Sequence, residues 1–226
     1  MTAFRRFIDW TLDHWLGWAL FGSAFMLAVA HAFETFGHLN PCILCLHQRA
    51  IYWTAGAIAL AGLAARATAS QPPPVRYGVA GLSIILLIGM AVLMQQDYLY
   101  WVAVDLVVAV ALAGVIAPWT PWSAQAGRLI LAALSLCFLT GMGIAIWHSG
   151  AEWKFWPGPA ACAANRFGVS TSDLALAMSG AKIKTPSCEE AAWRLFGISM
   201  AGFNVLISLK LAAWSGLAAL GWRAGK

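Results

Sequence analysis

Residues 38–53 read HLNPCILCLHQRAIYW and place two cysteines at the start of a long apolar run. Asn40 is a preferred N-cap residue, and the proline after it suits the first helical position, so we expect a helix to begin here. Cys42 and Cys45 then lie in its first turns, where the partial positive charge of a helix N-terminus favours a thiolate. Their spacing of three residues allows a strained, reducible disulfide.

Arg49 adds a permanent charge to the same helical face, since it follows Cys45 by four residues and Cys42 by seven. A cation inside an apolar segment costs free energy, which makes it a candidate for function. A guanidinium can stabilise a sulfur anion or donate hydrogen bonds to a carbonyl group beside it. Because quinones are carbonyl-bearing oxidants that dissolve in membranes, the motif predicts electron transfer from thiols to a quinone.

Plainer interpretations of this motif stay open. The cysteines could be half of a zinc site completed by His38 and His47, although zinc sites need four ligands and neither histidine has a usual ligand spacing. They could also be structural cysteines. Arg49 could simply extend along the apolar surface until its charge reaches water.

The rest of the chain is as apolar as this stretch. Of its 226 residues 61% are hydrophobic and only 10% are charged, whereas about a quarter of a soluble domain is charged. Apolar segments long enough to cross a bilayer, about 20 residues each, recur along it. Since helices satisfy their own backbone groups in lipid, we predict an all-α polytopic membrane bundle. Its six predicted spans are residues 15–36, 45–65, 77–95, 99–117, 128–148 and 195–216.

The first span could also be read as a signal peptide, because Arg5 and Arg6 precede it and residues 28–30 resemble a cleavage site. The apolar run continues past Ala30 and five more spans follow, so we expect the segment to be retained as an anchor. The prediction is therefore one integral membrane domain, residues 1–226.

The net charge of +5 does not indicate nucleic-acid binding. The distribution of the basic residues along the chain instead indicates how the protein is oriented in the membrane. If both termini are cytoplasmic, the outer turn at residues 95–99 has no lysine or arginine, and the short inner regions hold Arg5, Arg6, Arg66, Arg76, Arg128, Arg223 and Lys226. The basic residues of the long loop 149–194 count only weakly, since long loops translocate largely regardless of charge. Cys42, Cys45, Cys162 and Cys188 then all face the oxidising exterior, where disulfides form.

The second cysteine pair, Cys162 and Cys188, lies in the loop 149–194 with 25 residues between its members. A purely structural disulfide is one interpretation of this pair. A relay is the other, because a loop thiolate can attack an incoming disulfide and pass electrons on through a mixed disulfide. The residues alone leave both open.

Three stretches together resemble the DsbB family of bacterial inner-membrane, disulfide-generating proteins: PCILCLHQRAIYW, WHSGAEWKFWPGPAAC and PSCEEAAWRLFGISMAGFN. The resemblance covers about residues 10–65 and 128–220. It implies that Cys42 and Cys45 form the disulfide nearer the quinone. It also implies that Cys162 and Cys188 form the second, loop-borne pair, with Cys162 taking the partner's cysteine.

The resemblance further implies that Arg49 assists the quinone and that His148 lies near it; the plainer interpretation of His148 is an interfacial histidine. The implied activity is that of a thiol:quinone oxidoreductase using ubiquinone or menaquinone. Its expected partner is a periplasmic, DsbA-like thioredoxin-fold oxidase. The expected location is the bacterial inner membrane, with both termini cytoplasmic and both cysteine pairs periplasmic.

One departure from the family is the number of spans, because its members usually have four. Here residues 77–117 read as an inserted transmembrane hairpin within the region 66–127, and an added pair of spans leaves both cysteine pairs on one side. Asp105 in this hairpin is expected to face the bundle or to pair internally.

Two other functions compete with the oxidase interpretation. One is a membrane thiol reductase of the vitamin K epoxide reductase type, although those proteins usually carry their Cys-x-x-Cys late in a four-helix bundle. The other is a non-enzymatic membrane protein with structural disulfides. Treatment with mild reductant and with quinone distinguishes these functions. An inert disulfide pair stays intact in mild reductant and does not react with quinone.

Overall fold

Five helices and one short β-hairpin make up the part of the chain that the structure describes. The structure is a computed structural model and describes residues 2–37, 39, 41–69, 72, 74, 124–159 and 188–223. In chain order the elements are α1 (Thr2–Asp13), α2 (Trp15–Thr35), α3 (Ile43–Thr68), α4 (Ala124–Glu152), β1 (Arg194–Leu195), β2 (Ile198–Ser199) and α5 (Met200–Leu220). The predicted spans 77–95 and 99–117, Asp105 and Cys162 lie outside the described residues.

Helices α2, α3, α4 and α5 are each long and apolar enough to cross a membrane. They correspond to the first, second, fifth and sixth spans of the sequence prediction, so the helical membrane bundle is confirmed for these four. The six-span count stays a prediction.

The bundle is closed by contacts between consecutive helices and between α2 and α5. Trp15 on α2 stacks on Trp214 of α5 with ring centroids 5.5 Å apart, and its indole nitrogen donates to Ser215 Oγ at 2.8 Å. On the facing helices Leu134, Phe138 and Tyr52 complete the buried core. Large apolar side chains such as those of Leu129, Leu136 and Leu206 point outward, as expected where lipid covers the bundle.

Helix α3 begins two residues later than the sequence predicted. Cys42, not Asn40, is the N-cap: its backbone is extended and its Sγ accepts a hydrogen bond from the backbone N–H of Cys45 at 3.4 Å. A sulfur atom therefore satisfies one of the free amides of the first turn. The cap prediction was wrong because it weighed side-chain type alone.

Helix α5 begins at Met200, five residues after the predicted start at residue 195. The residues in between form the antiparallel β1–β2 hairpin, with Arg194 paired to Ser199. Phe196 and Gly197 have positive φ angles of 51° and 81°, which a helix does not allow. The hydroxyl of Ser199 then caps α5 by accepting the Gly202 N–H at 3.1 Å.

The two ends of the bundle carry different chemistry. At one end Asp13, before α2, pairs with Arg223 after α5 at 2.6 Å, and Arg66 near the end of α3 donates to the Asp13 carbonyl at 3.3 Å. The N-terminus of α3 with Cys42 lies at the other end, because α3 runs 26 residues from one to the other. Arg66 and Arg223 are thus separated from the thiols by the length of the bundle.

Candidate redox site

The first two thiols lie side by side at the N-terminus of α3. The Sγ atoms of Cys42 and Cys45 are 3.2 Å apart, longer than the about 2.05 Å of a disulfide bond, and both thiols are free. Cys42 is buried, while Cys45 is partly accessible. The pair is therefore in its reduced, hydrogen-bonded state.

His148 near the end of α4 contacts the buried member of this pair. Its Nε2 lies 3.5 Å from Cys42 Sγ and 3.7 Å from Glu152 Oε1 one turn further along α4. Its Nδ1 lies 3.1 Å from the side-chain nitrogen of Gln48. His148 is thus held on both ring nitrogens, and it is 4% exposed.

The electrostatics favour a negative charge on Cys42. The hydrogen bond from Cys45 is the largest influence, and the hydrogen bond from His148 acts in the same direction, against the effect of burial. Together they lower the pKa of the Cys42 thiol from 9.0 to about 4. At neutral pH Cys42 is therefore the thiolate of the pair, and a thiolate is the nucleophilic form.

Cys188 lies against this thiolate. It is fully buried in one apolar cluster with Cys42 and Leu44, and the sulfur atoms of Cys42 and Cys188 and a ring nitrogen of His148 all lie within 4.8 Å of one another. Cys188 is disulfide-bonded. Since a disulfide sulfur is not a thiolate ligand, the trio offers two metal ligands and not three in this redox state.

Arg49 is paired with a carboxylate that the sequence analysis did not anticipate. Its Nη1 lies 2.5 Å from Glu34 Oε2 on α2, and its Nη2 donates to the carbonyl of Ala30 at 3.1 Å. Its side chain is 12% exposed. The guanidinium is therefore fixed between α2 and α3 and does not reach along the surface toward water.

A cavity opens beside Cys45 and Arg49, between α2, α3 and the start of α5. Its wall is mostly apolar, but it includes four polar side chains, those of Gln48, Arg49, Tyr52 and Asn204. An apolar pocket with a few placed polar groups is typical of a small-molecule site. The apolar residues include Met26, Val29, Ala30, Phe33, Leu39 and Met200.

Comparison with known families gives one match. The family model described as disulfide bond formation protein DsbB matches residues 13–106 and 100–218. The chain belongs to the DsbB family. Neither a curated protein nor a solved structure matches the chain significantly. The two matched segments meet at residues 100–106, inside the region 66–127 that the sequence analysis interprets as an insertion.

Membership of the DsbB family makes this a protein of disulfide-bond formation, and so an oxidoreductase. The four apolar helices agree with a protein of the inner membrane.

Five of the six predicted site residues come together. Cys42, Cys45, Arg49, His148 and Cys188 all lie at one end of the bundle, and Cys162 lies outside the described residues. His148 was expected beside the quinone, but it is not among the residues lining the cavity. Gln48 joins the two, because it lines the cavity and contacts His148.

Sequence reasoning missed a second group of residues around this site: Glu34, Gln48, Glu152 and Asn204. Asn204 gave one usable signal, since an amide within an apolar span is costly unless it has partners. Gln48 lies three residues after Cys45 and so shares its helical face. Glu152 gave a local signal, because it follows His148 by four residues on the same helix. Glu34 gave none, because its partner Arg49 comes from another helix.

Proposed function

We propose that this DsbB-family protein generates disulfides de novo as a thiol:quinone oxidoreductase. It reoxidises a periplasmic, DsbA-like thioredoxin-fold protein and passes two electrons to a membrane quinone. The observation that carries the proposal is the position of Cys42 between two sulfur atoms, 3.2 Å from Cys45 Sγ and within 4.8 Å of Cys188 Sγ.

The first step takes electrons from the soluble partner. A thiolate of the partner attacks Cys162 of the Cys162–Cys188 disulfide, forming a mixed disulfide and releasing Cys188 as a thiolate. The second thiol of the partner then attacks the mixed disulfide, and the oxidised partner leaves. Two electrons now reside on Cys162 and Cys188 of the loop.

The second step moves these electrons within the chain. The Cys188 thiolate attacks Cys42 of the Cys42–Cys45 disulfide and releases Cys45, after which Cys162 attacks Cys188 and releases Cys42 as a thiolate. The low pKa of Cys42 makes it a good leaving group in this exchange. Reduced Cys42 and Cys45 together with a disulfide-bonded Cys188 correspond to the product of this step.

The third step returns the inner pair to its disulfide. The Cys42 thiolate and the Cys45 thiol give up two electrons and one proton to a quinone, and a bond forms between their sulfur atoms. A second proton comes from water, and the quinone becomes the quinol. The cavity fits this acceptor, because it is apolar, adjoins Cys45 and carries the Arg49 guanidinium that can hydrogen-bond a carbonyl oxygen. Glu34 holds that guanidinium in place.

The proposed orientation has both termini in the cytoplasm and the cysteines in the periplasm. It is supported by the separation of charge and thiols, because Arg66 and Arg223 lie at the end of the bundle away from Cys42 and basic residues favour the cytoplasmic side. The inserted hairpin of region 66–127 stays part of the proposal, as two extra spans are compatible with this orientation.

The test is quinone reduction by the purified protein in lipid nanodiscs, with a reduced thioredoxin-fold dithiol as electron donor. Ubiquinone and menaquinone analogues are compared by their absorbance. Turnover should vanish in Cys45→Ala and in Cys162→Ala. It should persist in Cys137→Ser, because the Cys137 thiol donates to the Ile51 carbonyl at 3.6 Å, within the core of the bundle.

Other results would contradict the proposal. Loss of turnover with Cys45→Ala alone would make the loop disulfide structural. Absence of turnover with every quinone and donor, combined with reduction of added disulfides by the protein, would favour the reductase of the vitamin K epoxide reductase type. Inertness in both directions would favour a non-enzymatic protein.

A further inference from the structure

A chain of buried polar side chains crosses the bundle next to Cys42. The hydroxyl of Tyr52 on α3 donates to Asn204 Oδ1 on α5, and Asn204 Nδ2 donates to Gln48 Oε1 on α3. The side-chain nitrogen of Gln48 then meets His148 Nδ1 on α4 at 3.1 Å. All four side chains are less than 10% exposed. Three helices are thus joined by consecutive hydrogen bonds that end at the Cys42 sulfur.

The direction of these hydrogen bonds decides where His148 carries its hydrogen. An amide nitrogen can only donate, so His148 Nδ1 accepts from Gln48, and a neutral imidazole then has its hydrogen on Nε2. The groups facing Nε2 agree, because the Cys42 thiolate at 3.5 Å and the Glu152 carboxylate at 3.7 Å are both acceptors. The opposite tautomer would set Nδ1–H against the N–H of Gln48.

We propose that Asn204 and Gln48 are positioning residues of the redox site, and that their amides hold His148 in the Nε2–H tautomer that donates to the Cys42 sulfur. The inference deepens the proposed function and rests on it only in taking Cys42 and Cys45 as the redox pair. It explains why an asparagine lies within an apolar span, where an amide without partners is costly.

The hydrogen bond from His148 determines which of the two neighbouring sulfur atoms, that of Cys42 or that of Cys45, carries the negative charge. Cys42 receives the His148 hydrogen bond and faces Cys188, whereas Cys45 faces the cavity and Arg49. Holding the anion on Cys42 places it on the sulfur that exchanges with the loop disulfide. Glu152 on α4 faces Nε2 and favours the same tautomer, while the amide of Gln48 acts on the other ring nitrogen. Arg49 pairs with Glu34 on α2 instead.

The experiment observes the tautomer directly. Protein labelled with ¹⁵N-histidine and reduced at Cys42 and Cys45 is placed in nanodiscs, and the ring nitrogens are followed by NMR. His148 is identified among the five histidines by the signal lost in His148→Gln. We expect the wild-type signal of the Nε2–H form. In Asn204→Leu we expect a mixture of tautomers. We also expect the titration midpoint of Cys42, followed by thiolate absorbance, to rise by about one pH unit, which is a tenfold change in the ionisation constant.

A second variant keeps the volume of the core in case Asn204→Leu does not fold. Ser208 Oγ lies 3.3 Å from Asn204 Oδ1 and 2.9 Å from the Tyr52 hydroxyl, so it can replace Tyr52 as a donor. Tyr52→Phe alone should change the tautomer little, and Tyr52→Phe with Ser208→Ala should change it clearly. Ser215→Ala is the matched control on α5, because the Ser215 hydroxyl accepts from Trp15 and is not part of the hydrogen bonds that lead to His148.

Two results would overturn the inference: a wild-type His148 with its hydrogen on Nδ1, or a tautomer and titration midpoint that are the same in wild type and in the Tyr52→Phe, Ser208→Ala double variant. Neither readout uses quinone or a soluble partner. If quinone reduction is absent but His148 shows the expected tautomer, the proposed function fails and this inference is still supported. If quinone reduction is present but the tautomer differs from the expected one, only this inference fails.

Discussion

The sulfur atoms of Cys42 and Cys188 lie within 4.8 Å of each other, although one belongs to the N-terminus of α3 and the other to the segment that precedes the β-hairpin. Cys42 is a free thiol and Cys188 is disulfide-bonded. A thiolate next to a disulfide is the arrangement that thiol–disulfide exchange requires. Cys42 and Cys188 are therefore close enough for exchange without a large movement of the bundle.

The cavity proposal predicts a specific effect of Arg49. Replacing it in Arg49→Gln removes the guanidinium beside Cys45, and we expect kcat/KM for quinone to fall at least tenfold, which corresponds to about 1.4 kcal/mol of transition-state stabilisation. Glu34→Gln should have a smaller effect, because Arg49 keeps its hydrogen bond to Ala30. The measurement is steady-state quinone reduction with the soluble donor at saturation.

Arg66→Gln is the control for this prediction, since Arg66 lies at the opposite end of α3 and contacts the Asp13 carbonyl. Its kcat/KM for quinone should equal that of the unaltered protein. An equal decrease in both arginine variants would show a general effect of charge, and no decrease in Arg49→Gln would remove this residue from the acceptor site.

The lowered pKa of Cys42 predicts how stability depends on pH. The thiol titrates near 9.0 when unperturbed and near 4 in the folded protein. A depressed pKa contributes stability that is complete above the unfolded value and is lost as pH falls through the folded value. For protein reduced at Cys42 and Cys45, the difference in melting temperature between wild type and Cys42→Ser should therefore widen as pH rises from about 4 toward 9.

Cys137→Ser serves as the comparison for the pH prediction, and its difference from wild type should stay constant over the same range. Parallel melting curves for wild type and Cys42→Ser at all pH values would mean that Cys42 is not the stabilised thiolate.

Close packing of α3 on α4 predicts different results for two nearby glycines of α4. A Cβ at Gly141 would lie 2.8 Å from Ile51 Cγ2 on α3, whereas a Cβ at Gly143 meets nothing within 4 Å. Since Ile51 is β-branched and has few rotamers to move into, Gly141→Ala should destabilise the protein by about 1–3 kcal/mol. Gly143→Ala should be neutral or stabilising by up to about 1 kcal/mol.

Unfolding in mixed micelles measures both glycine variants. Gly141→Ala should also weaken the Cys42–His148 contact, because α3 and α4 carry one residue each. The packing account would be wrong if the two alanine variants had the same stability.

The four described spans were predictable because length and apolarity are local properties of a segment. The same holds for Cys42, Cys45 and Arg49, whose helical spacing can be read directly from the sequence. The start of α5 was not predictable from hydropathy, since Leu195 and Phe196 are apolar, yet the positive φ angles of Phe196 and Gly197 make them part of a turn.

The contacts between helices could not be predicted from the sequence. Glu34 contacts Arg49, and Asn204 contacts Gln48 and Tyr52, only when each helix is rotated about its axis as it is in the packed bundle. Each of these side chains taken alone reads as a polar residue in or near an apolar segment. The family resemblance supplied the cysteine assignments, but it gave no indication of the amide chain behind His148.

The most direct test of the account is a trapping measurement on the Cys45→Ala, Cys162→Ala double variant, which leaves Cys42 and Cys188 without their proposed partners. After mild oxidation the protein is digested without reductant and its disulfides are identified by mass spectrometry. The account predicts a Cys42–Cys188 disulfide in most molecules, formed within one chain. Persistence of both thiols, or a bond only between different chains, would contradict the exchange between the two pairs.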